Sequence, residues 1–253
     1  MRKILFTCDL DNTLLHSYKH KQDGDVCIEI LKEKEQGFTT PKTLELLWQL
    51  NTYENVCTVP LTTRSVEQYT RIKWGAAAPK TALVTNGTLL LNGTGIDEQW
   101  WEDSLKTVLP LKEELQRLYE LLSPQESFIR VRIVDEMYLF VYCAQGVDPK
   151  ETAEQLQALT SLNVQCAGKK IYLFPPAANK GVAAARMAER IGADFRIAAG
   201  DSAIDLPMLK AADLALIPYN DLINEEYKQC AVCPIDKPFS EFVLETVLGI
   251  CCE

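Results

Sequence analysis

The chain has 253 residues, of which 47% are hydrophobic and 24% are charged, and this composition excludes a wholly disordered protein. Its 26 Lys and Arg against 35 Asp and Glu give a net charge of −9, which disfavours nucleic acid and anionic membrane surfaces as partners. An anionic ligand therefore requires a local positive group such as a metal ion. No segment reaches the roughly 20 apolar residues of a membrane span. The apolar run after the basic first residues ends at Asp9, too early for a signal peptide, so we expect a cytoplasmic location.

Short apolar runs alternate with helical patterns in the first and last parts of the chain. The runs that predict strands cover residues 4–6, 56–61, 82–84 and 195–199, and the helical patterns cover 41–50, 179–191 and 203–211. Strands that alternate with helices favour an α/β fold with a mainly parallel sheet wrapped by helices.

The middle of the chain has a different pattern. It predicts six segments in the order helix, two strands, helix, two strands. They cover residues 99–122, 128–134, 138–143, 149–160, 164–167 and 171–174. This order is typical of a small α+β domain with an antiparallel sheet. We therefore predict a core domain of residues 1–92 plus 173–253 and an inserted domain of residues 93–172.

Two further features each have two interpretations. Residues 16–40 predict a hairpin, either a flap above the carboxyl edge of the sheet or a plain surface hairpin, and His16 and His20 either reach the site or stay exposed. The nine cysteines are expected to be buried and reduced. A zinc site at Cys230, Cys233, Cys251 and Cys252 is the alternative interpretation.

Polar residues follow the predicted strands at the edge where open parallel sheets bind ligands. They are Asp9, Asp11, Thr62, Thr63, Arg64, Asp201 and Asp205, with Lys180 at the start of a helix. Crowded carboxylates repel one another unless a cation joins them, and an all-oxygen donor set suits Mg²⁺. A carboxylate could then attack phosphorus, a second acid could protonate the leaving alcohol, and a lysine with a hydroxyl could hold the phosphoryl oxygens.

These residues resemble the four ordered motifs of the haloacid dehalogenase (HAD) superfamily. The motifs are Asp9-Leu10-Asp11-Asn12-Thr13, then Thr62, then Lys180, then Gly200-Asp201-Ser202-Ala203-Ile204-Asp205. The position of the insertion and the pair Asn86-Gly87 resemble the branch with Cof-type and sucrose-phosphate phosphatase-like members, which implies a Rossmann-like core with an inserted α+β cap. The chain departs from that branch at Thr63, where glycine is usual, and at Ile204, where asparagine is common.

The resemblance implies a role for each motif residue. Asp9 would be the nucleophile and Asp11 the general acid and base, while Thr62 or Thr63 and Lys180 would bind the phosphoryl group. Mg²⁺ would be held by Asp9, the backbone carbonyl of Asp11 and Asp201, with Asp205 as a ligand or a support. The implied function is a Mg²⁺-dependent phosphomonoester hydrolase that acts through an aspartyl-phosphate on a small metabolite such as a sugar phosphate.

Other interpretations remain open at this stage. A phosphomutase of the phosphomannomutase type and a non-catalytic HAD-fold binding protein are the alternative functions. Arg64, Arg130 and Arg132 are candidate substrate residues, and the alternative for Arg130 and Arg132 is a solvated outer face of a half-buried strand. We interpret Lys169 and Lys170 as turn residues.

Overall fold

The computed structural model describes residues 2–251. The strands are β1 (Ile4–Cys8), β2 (His16–Ser17), β3 (Val26–Leu31), β4 (Lys34–Thr39), β5 (Val56–Pro60), β6 (Thr81–Val84), β7 (Leu89–Asn92), β8 (Gly95–Ile96), β9 (Phe128–Val134), β10 (Tyr138–Cys143), β11 (Asn163–Ala167), β12 (Lys170–Phe174), β13 (Phe195–Ala199), β14 (Leu214–Ile217) and β15 (Cys230–Val232). The helices are α1 (Pro41–Leu50), α2 (Val66–Thr70), α3 (Glu98–Val108), α4 (Lys112–Leu122), α5 (Pro149–Gln157), α6 (Lys180–Ile191), α7 (Leu206–Ala211) and α8 (Phe239–Cys251). Among these residues, no helix is long and apolar enough to cross a membrane.

A five-stranded parallel sheet forms the centre of the molecule, in the order β15-β14-β13-β1-β5. Strand β1 lies inside it and is buried along its whole length. Phe6 packs into one apolar cluster and Leu5 into another, because successive side chains of a strand point to opposite faces. Helices therefore cover both faces, as a parallel sheet requires.

The apolar run at 82–84 does not become a full member of this sheet. Strand β6 pairs antiparallel with β7, and a single parallel bridge between Leu61 and Leu83 joins it to the central sheet. The chain reverses at Asn86 and Gly87, whose φ angles of 57° and 89° permit a tight turn. This turn folds β7 back onto β6, so that β7 pairs with an edge of β6 that the central sheet leaves open.

A second sheet, the cap sheet, consists of β11-β12-β10-β9 and is antiparallel throughout. Helices α4 and α5 pack against it. The prediction of one helix over 99–122 is wrong, because α3 ends at Val108 and α4 begins at Lys112, with a 3₁₀ turn between them. Pro110 lies in that turn and has no backbone N–H to continue an α-helix.

Helix α3 attaches this region to the core. The indole nitrogen of Trp100 donates to the carbonyl of Gly87 over 3.1 Å, and the Arg186 guanidinium of α6 lies 3.9 Å from the centre of the indole ring. Strand β8 likewise pairs with β7. The division into residues 1–92 plus 173–253 and residues 93–172 stays a prediction.

The segment between β1 and α1 forms a small sheet in the order β2-β4-β3. Ile28 and Phe38 are buried beneath it, and the Thr39 hydroxyl donates to the carbonyl of Leu14 over 2.8 Å. The backbone N–H of Lys73 also donates to the carbonyl of Ile28. The hairpin is therefore anchored to the core on more than one side.

Candidate active site

Four motif residues come together at the carboxyl edge of the parallel sheet. Asp9 follows β1, Asp201 and Asp205 follow β13, and Lys180 is the first residue of α6. Lys180 is almost fully buried, and its Nζ donates to Asp9 Oδ1 over 2.5 Å and to Asp205 Oδ1 over 2.6 Å. One oxygen from each of Asp9, Asp201 and Asp205 lies within 4.8 Å of the others. The topology thus gathers three carboxylates and one ammonium at one point.

Asp205 is the fixed element of this cluster. Its Oδ2 accepts hydrogen bonds from the backbone N–H groups of Asp201 and Ser202 and from the Ser202 hydroxyl. A Cβ at position 200 would lie 2.5 Å from the Asp205 Cβ, so only glycine fits there. With Lys180 on its other oxygen, Asp205 shapes the loop and holds the ammonium in place.

The loop after β1 orients Asp201 from the opposite side. Asn12 has a φ of 63°, which asparagine tolerates better than most residues, and its Nδ2 donates to Asp201 Oδ2 over 3.3 Å. The Thr13 hydroxyl donates to Asp201 Oδ1 over 3.4 Å. The first and fourth motifs therefore position each other.

The electrostatics of the cluster favour a bound cation. Burial raises the pKa of Asp9, Lys180 lowers it, and the carboxylates of Asp205, Asp201 and Asp11 raise it further, with a net rise. Burial and then Asp205 raise the pKa of Asp201 to about 6. Burial lowers the pKa of Lys180, but Asp205 and Asp9 outweigh it and raise the value, so Lys180 stays protonated. Carboxylates that resist ionisation together need more positive charge than one ammonium supplies.

The donor set fits Mg²⁺, because the three side chains offer only oxygen ligands and need a compensating cation. Among residues 2–251 this is the one group of three or more His, Cys, Asp or Glu side chains with ligand atoms that close together. Cys230, Cys233 and Cys251 form no such group within that range, and Cys252 lies outside the described residues.

The Asp11 side chain turns away from the cluster and pairs with Arg64. Arg64 Nε donates to Asp11 Oδ2 over 2.9 Å and its second terminal nitrogen donates to Oδ1 over 2.8 Å. Burial alone would raise the pKa of Asp11, but the hydrogen bonds and charge of Arg64 lower it. The other terminal nitrogen of Arg64 reaches Glu29 of β3 over 2.8 Å, and Glu29 also pairs with Arg71. The hairpin is therefore linked to Asp11 through a chain of ion pairs.

The two threonines of the second motif have different surroundings. Thr62 is fully buried, and its hydroxyl accepts from the backbone N–H of Arg64 over 3.1 Å. Thr63 lies on the wall of a cavity, and its carbonyl accepts a 2.5 Å hydrogen bond from the Tyr138 hydroxyl of the cap sheet. Thr62 thus braces the turn after β5, and Thr63 borders open space.

The cavity has a volume of about 400 Å³ and lies between the core, the hairpin and the cap sheet. Its polar and charged lining consists of Asp11, Ser17, Glu29, Gln36, Thr63, Arg64, Gln68, Arg71, Arg130, Arg132, Tyr138, Tyr142, Lys170 and Tyr172. Arg130 and Arg132 therefore face the cavity rather than an outer surface. The interpretation of Lys170 as a turn residue is wrong, because it begins β12 and lines the same cavity.

The two histidines of the hairpin do not line this cavity. His16 pairs with Asp25 over 2.7 Å, and His20 is exposed in a short 3₁₀ helix.

Four hydrogen bonds from three cap residues fix the cap sheet over this site, and none of them was identified from the sequence. Asp135, in the turn between β9 and β10, accepts from the Thr85 hydroxyl and from the backbone N–H of Val66. Tyr138 reaches Thr63 as described, and a terminal nitrogen of Arg132 donates to Gln68 Oε1 over 3.1 Å. The period-two alternation of β12 would have placed Lys170 on the face of Tyr172, but no local signal marks the docking role of Asp135.

Comparison with known proteins identifies the fold. No protein-family model and no curated protein matches the sequence. The chain resembles the solved sucrose-phosphatase of Synechocystis over 98% of both chains, with 17% identity and a TM-score of 0.68. It also resembles a phosphatase of the haloalkanoate (HAD) enzyme superfamily from Bacteroides thetaiotaomicron over 100% of this chain and 96% of the other, with 14% identity and a TM-score of 0.62. The chain has the HAD fold.

A third structure extends the HAD comparison. The trehalose-6-phosphate phosphatase of Aspergillus fumigatus shares 16% identity and a TM-score of 0.55 over 100% of this chain and 94% of its own. The predicted architecture, a Rossmann-like parallel core with an inserted α+β cap, is confirmed by these likenesses and by the sheet topology. At these identities the likeness establishes the fold, and the activity has to be argued from the site.

Proposed function

We propose that the protein is a Mg²⁺-dependent phosphomonoester hydrolase that acts through an aspartyl-phosphate on a small metabolite such as a sugar phosphate. The observation that carries this proposal is the cluster of Asp9, Asp201, Asp205 and Lys180 beside the cavity between the core and the cap sheet. The HAD-fold structures named above include a sucrose-phosphatase and a trehalose-6-phosphate phosphatase, which supports a sugar phosphate as the substrate class.

The first chemical step transfers the phosphoryl group to Asp9. A carboxylate oxygen of Asp9 attacks phosphorus, the bond from phosphorus to the substrate oxygen breaks, and the leaving alkoxide takes a proton from Asp11. Lys180 stabilises the oxygens of the transferring group, and the threonines of the second motif contribute hydroxyls. Mg²⁺ held by Asp9, the backbone carbonyl of Asp11 and Asp201 would offset negative charge on the phosphoryl group, with Asp205 as the support.

The second step releases phosphate. Asp11 takes a proton from water, the water oxygen attacks phosphorus, and the bond between phosphorus and Asp9 breaks to restore the free carboxylate. The pair with Arg64 keeps Asp11 ionised, which is the form that this step requires. The first step requires protonated Asp11, so Arg64 has to release Asp11 when substrate binds. Arg64, Arg130 and Arg132 then face the non-transferring part of the substrate.

The test is phosphate release from a panel of sugar phosphates, nucleotides and phosphorylated acids with Mg²⁺. We expect Asp9→Asn to lower kcat at least about a thousandfold with an unchanged circular-dichroism spectrum, because the nucleophile is lost. Asp103→Asn, on the half-exposed side of α3 and outside both the carboxylate cluster and the cavity lining, serves as the matched control and keeps full activity. Excess chelator should stop turnover and added Mg²⁺ should restore it.

The outcomes separate this proposal from its alternatives. Substantial turnover by Asp9→Asn would remove Asp9 as the nucleophile, and indifference to chelator would contradict the metal site. Activity that appears only with a sugar bisphosphate activator would favour a phosphomutase. Binding of phosphate esters without turnover would favour a non-catalytic protein.

A further inference from the structure

The cap sheet presents a row of cationic side chains to the cavity. In the antiparallel register Arg130 lies opposite Tyr142, and Tyr142 lies opposite Lys170. Arg132 belongs to the next row on the same face, opposite Phe140, since directly paired residues and residues two apart share one side of a sheet. Adjacent strands lie about 4.8 Å apart, so the backbone positions of Arg130 and Lys170 are separated by about 10 Å with Tyr142 between them. Their side chains can therefore reach one small group.

The charges in the cavity are unequally compensated. Its lining contains five cationic side chains and two carboxylates. Arg64 and Arg71 use those carboxylates, because Arg64 pairs with Asp11 and Glu29, and Arg71 pairs with Glu29. The remaining three cations, Arg130, Arg132 and Lys170, form no ion pair with any residue in the described range 2–251.

The Arg132 guanidinium also lacks acceptors for some of its N–H groups. One terminal nitrogen donates to Gln68, while its Nε is buried and has no acceptor within the described chain. The guanidinium lies 5.4 Å from the centre of the Phe140 ring, which satisfies none of its N–H donors in their own plane. The chain has a net charge of −9 and therefore surplus carboxylates, yet within residues 2–251 none forms an ion pair with these three cations.

A neutral sugar would not satisfy this arrangement. Hydroxyl groups can accept hydrogen bonds from guanidinium and ammonium groups, but they carry no charge and would leave the three cations uncompensated. Carboxylates and phosphates accept only, and they form the strongest hydrogen bonds with Arg and Lys. The scissile phosphoryl group does not meet this need, because in the proposed function it lies with Asp9 and Lys180, which do not line the cavity wall.

We propose that the substrate carries a second anionic group, a carboxylate or a second phosphate, that binds to Arg130, Arg132 and Lys170 on the cap sheet. This inference rests on the proposed function for the location of the scissile phosphate. The aromatic rings of Phe140, Tyr142 and Tyr172 lie among these cations and provide an apolar surface for the carbon skeleton between the two anionic ends.

Binding to the Asp9→Asn variant tests the proposal without turnover. Isothermal titration calorimetry with Mg²⁺ compares 6-phosphogluconate with glucose 6-phosphate, and fructose 1,6-bisphosphate with fructose 6-phosphate. The first pair tests a carboxylate and the second pair tests a second phosphate. We expect at least one member with a second anionic group to bind about tenfold more tightly than its partner without that group, which is the size of one charge-assisted hydrogen bond.

Variants on the cap sheet then locate the effect. In the same background, Lys170→Gln and Arg130→Gln should each reduce the selectivity between the members of the preferred pair by about tenfold. Lys169→Gln removes the same charge one residue away, outside the cavity lining, and should keep the selectivity of the parent. A general loss of structure would weaken both members of a pair equally and leave the selectivity unchanged.

Failure of this inference differs from failure of the proposed function. Equal binding within both pairs, or selectivity that survives Lys170→Gln and Arg130→Gln, would overturn the second-anion site. A wild-type protein that hydrolyses no phosphate ester, while the selectivity and its loss are observed, would overturn the proposed hydrolase and retain the site.

Discussion

The buried ammonium of Lys180 allows a direct test of the electrostatics of the site. We consider Lys180→Met, which keeps a long unbranched side chain and removes the charge. Lys180 makes contacts of 2.5 Å to Asp9 and 2.6 Å to Asp205, both of which are buried. Each charge-assisted hydrogen bond contributes roughly 1.5–3 kcal/mol, and removal of one partner from a buried ion pair costs about 3–5 kcal/mol. We therefore expect the free energy of unfolding to fall by about 3–5 kcal/mol.

Urea denaturation followed by far-UV circular dichroism measures this loss. Excess chelator in the buffer ensures that no bound cation replaces the missing charge. The matched control is Lys210→Met, which removes a lysine with the same 2.6 Å contact to a carboxylate, that of Glu225, but on the surface. Exposed pairs contribute at most about 1 kcal/mol, so the control should remain close to the wild type. If both variants lose the same stability, Lys180 does not compensate the buried carboxylates and the reasoning is wrong.

Two further predictions concern other ion pairs. Glu29→Gln removes the buried carboxylate that joins the hairpin to two arginines, so amide hydrogen exchange should accelerate in β3 and β4. The control Glu35→Gln changes an exposed carboxylate of the same hairpin and should have no such effect. Equal exchange in both variants would show that the Glu29 ion pairs do not anchor the hairpin. Burial raises the pKa of Asp213, but hydrogen bonds from Arg196 and Lys228 lower it to about 2. Because the unfolded value is about 3.9, Asp213 stabilises the fold above about pH 4 and loses this effect as the pH falls towards 2. The stability difference between wild type and Asp213→Asn should therefore shrink below about pH 4, and a constant difference would refute this assignment.

The residues that meet at the edge of the sheet could be predicted from local sequence patterns alone. Asp9, Asp201 and Asp205 follow strands with clear apolar patterns, and parallel strands deliver their carboxyl ends to one side. The alternating patterns of 128–134 and 138–143 likewise predicted the antiparallel cap sheet, and the shared face of Arg130 and Arg132 followed from their spacing. All of these inferences depend on local periodicity, which the side-chain geometry of a strand or helix fixes.

The contacts that these residues make depend on the folded chain and could not be predicted from local patterns. Asp11 and Arg64 are 53 positions apart, Lys180 and Asp9 are 171 apart, and no local pattern encodes such pairs. The docking of Asp135 on the core, the link from Glu29 to Arg64 and the orientation of Lys170 toward the cavity depend on how the cap, the hairpin and the core pack together. Sequence periodicity specifies the faces of single elements, whereas the partner of each face is chosen by packing and charge compensation across the whole chain.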